Sequence, residues 1–85
     1  MSKPLEGQVF QSTEYPTTLE VIEVTATHFR YRSTTVVTNI NGYQHEFSDT
    51  YLSVIQWFPN IINRGKYQEL TDEQREHYRR VQQNS

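Results

Sequence analysis

Apolar residues are crowded into the middle of this 85-residue chain. Twenty of its 29 lie between residues 19 and 62, so any core must be built from that band. The polar ends, residues 1–18 and 63–85, can add little to it. Within the band the apolar residues come first in runs typical of strands and then at helical spacing, which predicts an α+β domain. The expected architecture is a strongly twisted antiparallel sheet, or partial barrel, of four or five strands. One packed helix is expected at about 50–58 and a C-terminal helix at about 71–82. A chain this short is a single domain, residues 1–85, and buries only about 60% of the surface its unfolded form exposes. Marginal stability follows, and a deep enclosed active site is not expected. Residues 1–7 read as a disordered lead-in and 83–85 as a frayed tail.

The strand signals can be placed one by one. Val9 and Phe10 read as a short first strand, and Tyr15-Pro16 as a turn or extended dipeptide, because proline disfavours helix at the residue before it. Leu19, Val21, Ile22 and Val24 are strongly β, with a change of parity between Val21 and Ile22. That change calls for two covered faces or a bulge. His28 to Arg32 alternates cleanly, with Phe29 and Tyr31 on one side and His28, Arg30 and Arg32 on the other, and pairs with the preceding run as a hairpin. Strand character continues over 34–40. Asn41-Gly42 then supplies a turn that favours positive φ, and Tyr43, His45 and Phe47 are expected to face inward on the return strand.

Helix signals follow. Ser48-Asp49-Thr50 offers N-cap chemistry, with Asp49 as the expected cap, before a stripe of Tyr51, Leu52, Val54, Ile55 and Phe58, and Pro59 is expected to end that helix. Ile61 and Ile62 in the following loop can still reach the core. Thr71-Asp72-Glu73-Gln74 is a capping box for the last helix. Its apolar stripe, Leu70, Tyr78 and Val81, is thin. Asp72 with Arg75 and Glu76 with Arg80 stand at pairing distance along it.

Signatures of chemistry are weak throughout. With no cysteine, the chain has no disulfide, no thiolate nucleophile and no Cys-based zinc site, and such a composition suits a reducing cytoplasm. Three glycines, at 7, 42 and 65, form no phosphate-cradling loop. His28, His45 and His77 lack the short spacing that pre-forms a metal site. His45 reads instead as a partly buried, hydrogen-bonded ring. No signal peptide or stretch of 18 apolar residues is evident, so a soluble intracellular protein is expected, with no catalytic residue, no cofactor and no metal.

Exposed faces remain as the functional candidates. The net charge of −2 hides an uneven spread: residues 1–63 carry three basic and six acidic groups, and residues 64–85 five and four. Six tyrosines, one tryptophan and six arginines are more than a small core needs, and these residue types dominate protein interfaces. The candidate partner-binding residues are His28, Arg30, Tyr31, Arg32, Trp57, Arg64, Lys66, Arg79 and Arg80. Two bland roles compete with this one: Arg30 and Arg32 can pair with Glu20 and Glu23 across the hairpin, and Trp57, near Ser53 and Arg64, can serve as a lid on the core.

The segments Gly7-Gln8-Val9-Phe10, residues 19–24 with 28–32, and residues 42–47 before a short segment ending in Phe58 together resemble the small SH3-like β-barrels found as accessory proteins in bacteriophages and bacteria. The resemblance covers about residues 7–58 and is one of strand order. It implies a binding module for a host protein or a nucleic acid, and no catalytic residue. The expected function is therefore a small cytoplasmic protein-binding module of phage accessory type that modulates or inhibits a larger host complex. The alternatives are a nucleic-acid-binding module using the arginine-bearing strand face, and a self-associating structural subunit such as a homodimer.

Overall fold

Five antiparallel strands form one open sheet in the computed structural model, which describes residues 3–83; the first four are a meander and the fifth returns beside the first. They are β1 (Val9–Ser12), β2 (Thr17–Val24), β3 (His28–Thr38), β4 (Gln44–Val54) and β5 (Tyr67–Glu69). The spatial order is β4-β3-β2-β1-β5, so β4 and β5 are the two edges. A single 3-10 turn, Ile55–Trp57, leads into helix α1 (Phe58–Arg64), and α2 (Asp72–Gln83) closes the described chain. The expected lead-in and tail fall partly on residues 1, 2, 84 and 85, which lie outside the described residues. Of the lead-in, Pro4 is buried and the Gly7 amide donates to the Val21 carbonyl.

Residues opposite one another in an antiparallel ladder share a face, and the register therefore sorts the sheet into two sides. Phe10, Leu19, Val21, Phe29 and Tyr31 lie on one side, where α1 packs. Phe58 is the centre of that layer: its ring meets Phe10 at 5.6 Å and Phe29 at 5.3 Å, both edge-on. Burial of each such side chain is worth about 1.5–3 kcal/mol, and Ile61 and Ile62 add partial cover as expected. The parity change in β2 is a bulge, with the register shifting between Val21 and Glu23. It turns Ile22 outward and returns Val24 to the core.

The other side is covered by α2. Val9, Gln11, Glu20, Arg32 and Thr34 share it, and Tyr78 of α2 sits over Glu20, Arg32 and Thr34. The capping box forms as expected: the Thr71 amide donates to Gln74 Oε1 at 2.9 Å and the Gln74 amide to Thr71 Oγ1 at 3.2 Å. The pairs Asp72–Arg75 and Glu76–Arg80 also form. The side chain of Val81, expected in this stripe, lies outside the described residues.

Two elements differ from expectation. Residues 50–54, assigned above to the packed helix, continue β4, and the helix begins eight residues later, at Phe58. Tyr51, Leu52 and Val54 have apolar neighbours on both parities, which fits a strand exposed on both faces as well as a helical stripe, and their β-branched and aromatic company favours extension. Asp49 is thus mid-strand, opposite Ser33, and caps nothing. Pro59 opens α1 instead of ending a helix, because its fixed φ suits the first turn, where no amide donor is needed. β5, a strand absent from the expectation, is held to β1 by bonds from Ser12 and Thr13 to the turn that precedes it. Ser12 Oγ donates to the Gly65 carbonyl at 2.6 Å, and Thr13 bonds the Lys66 carbonyl through both its amide and its hydroxyl.

A candidate interaction surface on the β3–β4 arm

β3 and β4 are each 11 residues long, whereas β2 has only eight. The last bond between β2 and β3 runs from the Val36 amide to the carbonyl of Pro16, after which the chain of Tyr15-Pro16 leads away. From there to the turn at Asn39–Tyr43 the hairpin is two-stranded, and its residues from Val37 to Phe47 are exposed. Eleven residues at about 3.4 Å each span about 37 Å, and the molecule is correspondingly elongated, 44 × 24 × 20 Å. The turn is tied by Asn39, whose Oδ1 accepts the amides of Asn41 and Tyr43, and Gly42 supplies the expected positive φ of 85°.

The parity of Tyr43, His45 and Phe47 is the core parity, as expected, but the core ends before it reaches them. Tyr31 stacks on Phe29 and on Tyr51, each at 5.4 Å, and this row marks the margin of the packed layer. Beyond it Phe47 is 59% exposed, Tyr43 68% and Ile40 fully. His45 likewise stands in solvent, not partly buried. The stripe Tyr51, Phe47, Tyr43 therefore runs from the half-covered margin to the tip of the arm along one side of an edge strand. On the opposite side of β4, Leu52 is 62% exposed beside Arg30.

Burial acts on the titration of the covered tyrosines. Burial pushes Tyr31 above the usual phenol range, with Tyr51 and Tyr67 adding to it. Burial likewise raises Tyr67, against a smaller opposing contribution from Ser33. Tyr78 is raised by burial first and by the Glu20 carboxylate next, while Arg32 opposes.

The residues singled out from sequence are distributed over four places. Arg32 lies opposite Glu20 and pairs with it at 3.8 Å, partly beneath α2, while Arg30 lies exposed opposite Glu23. His28 is half-buried at the start of β3 with its Nδ1 2.7 Å from Thr27 Oγ1. Tyr31 points to the other side of the sheet, into the aromatic stack. Trp57 and Arg64 come together: with Ser53, Asn60 and Ile61 they line a shallow recess of about 160 Å³, and Trp57 is 50% exposed. Lys66 sits at the β1–β5 end with a φ of 55°. Arg79 reaches the Gly7 carbonyl at 3.4 Å, and Arg80 faces Glu76.

Tyr43, Phe47, Ile40 and Leu52 were assigned to the core or passed over. The signal that could have placed them outside is the mismatch in strand length, since Pro16 stops β2 while β3 and β4 run on to Asn41-Gly42. Among the described residues no group of three or more His, Asp or Glu is placed to hold a metal, and no helix is long and apolar enough to cross a membrane. No family model matches the sequence, and comparison with curated proteins and with solved structures finds no similar chain.

Proposed function

We propose that this chain is a small protein-binding module that docks through the β3–β4 arm. One observation carries the reading: the aromatic side chains Tyr43, Phe47 and Tyr51 stand exposed on one side of β4, alternating with His45 and Asp49, and the outer edge of that strand is unpaired among the described residues. Such side chains raise the free energy while exposed to water and lower it when a partner covers them, and an open strand edge offers backbone donors and acceptors for strand addition. Tyrosine suits this use, having a large apolar face and a polar tip. The finer fold reading, a partial SH3-like barrel, has support from the strand order in which the last strand returns beside the first after a helical turn.

A nucleic-acid reading draws less support, because Arg32, Arg75 and Arg80 each face a carboxylate. Phosphate binding needs cations whose charge is available. The test is affinity capture from a cell extract with the wild-type chain, a Tyr43→Ser/Phe47→Ser chain and an Arg30→Ala/Arg32→Ala chain side by side. The arm variant should lose the bound partner and the arginine variant should keep it. Retention by the arm variant would remove the reading, and loss only with the arginine variant would move the site to the other face.

A further inference from the structure

We infer that the β4 edge is occupied by a second copy of this chain, paired antiparallel with its own β4 about a two-fold axis at Phe47. The inference rests on the arm being an interface and names what covers it. Backbone geometry sets the terms. The Asn39 amide donates to the Tyr43 carbonyl and the Ile55 amide to Thr27, so odd-numbered residues of β4 turn their peptide groups toward β3. Bonding alternates along an antiparallel strand, and the even-numbered residues Gln44, Glu46, Ser48 and Thr50 accordingly send theirs to the open edge. A symmetric copy must match even with even and odd with odd, which places the axis on a residue and not between two.

Charge rules out some of the central positions, and self-pairing of the whole stripe Tyr43, Phe47 and Tyr51 chooses among the rest. An axis at Asp49 or at Glu46 sets that carboxylate against its own copy, and like charges directly opposite destabilise a ladder. An axis at Ser48 sets Phe47 against Asp49. The axis at Phe47 is self-complementary: Phe47 meets Phe47, Tyr43 meets Tyr51, His45 meets Asp49 and Glu46 meets Ser48 of the second copy. The odd pairs are then the ones without backbone bonds between them, where side chains approach most closely. Because such an axis stands perpendicular to the sheet, both core faces lie on the same side. The row Tyr51, Phe47, Tyr43 continues into the row of the other copy, and the two acidic residues on the edge act as a register key.

The test uses the full chain, which has no native cysteine. Sedimentation over a concentration series should show a monomer–dimer equilibrium. Under mild oxidation Phe47→Cys should cross-link rapidly across the axis, and Ser48→Cys and Asp49→Cys should not, since neither meets itself in this register. His45→Glu should weaken the dimer about tenfold, the pair being present twice, and adding Asp49→Lys to it should restore the affinity. A monomer throughout the series, faster cross-linking at 48 or 49 than at 47, or failure of the double variant to recover would each overturn the second-copy assignment. In that event, loss of a captured partner by the Tyr43→Ser/Phe47→Ser chain would leave the arm standing as an interface for another protein. An unchanged capture would remove both.

Discussion

The base of the sheet and the arm are made from the same two strands, yet they live under different physics. At the base, Phe29 is buried between α1 and its neighbours, and each aromatic ring touches another across about 5.5 Å. A few residues further along, Phe47 and Tyr43 keep the same parity and stand exposed. The lesson is that alternation specifies a side of the sheet, while burial depends on whether another layer extends that far. In this chain the covering elements are short: α1 has seven residues against 11 in β3 and β4.

The sharpest break in this comparison comes from truncating a ring at the base. Phe58→Ala removes the side chain shared by Phe10 and Phe29 and should cost about 3–5 kcal/mol, enough to unfold much of a small domain; urea denaturation followed by circular dichroism would show it. Gly65→Ala is next. A Cβ there would stand 2.2 Å from the Tyr67 ring, so the β5 anchor must shift, at about 1–3 kcal/mol. The same denaturation experiment reads this change.

Alkali should act more gently, through the tyrosines of the base. Tyr31, Tyr67 and Tyr78 have raised pKa values in the folded state, so the fold holds their protons more tightly than the unfolded chain does. The stability they contribute is fully present below the ordinary phenol value of about 10 and is lost as pH rises through their folded values. Melting temperature should therefore fall in that window, and Tyr31→Phe should flatten the fall. Smallest of all should be the effect of Phe47→Ser on stability, within about 0.5 kcal/mol at a concentration where the chain is monomeric, although the same change should abolish partner capture. A large loss of stability instead would mean that the arm is part of the core.

Much of the locally determined structure was legible in the sequence. The β2–β3 hairpin, its bulge at Val21 and Ile22, the turn at Asn41-Gly42 and the Thr71 capping box all depend on interactions within a few residues, and local pattern specifies them. The segment 50–58 was not legible, because Tyr51, Leu52, Val54 and Ile55 satisfy two periodicities at once. Pairing with residues 28–32, a nonlocal contact, decides between them. β5 was hidden for a similar reason: Tyr67, Gln68 and Glu69 carry little strand signal and are extended because Ser12 and Thr13 hold the preceding turn. The arm followed from neither kind of clue, as it reflects how far one element outruns another.

The bond from Ser12 to Gly65 closes a sequence separation of 53 residues, while the β2–β3 and β3–β4 ladders close over short turns. Loop-closure entropy therefore orders assembly in time. The two hairpins can zip from their turns as soon as their strands exist, and β1 has to wait for β5 to arrive before it gains its second neighbour. During that interval the arm is already built while the base is unfinished, which makes the last-formed seam between β1 and β5 the place where the molecule opens first.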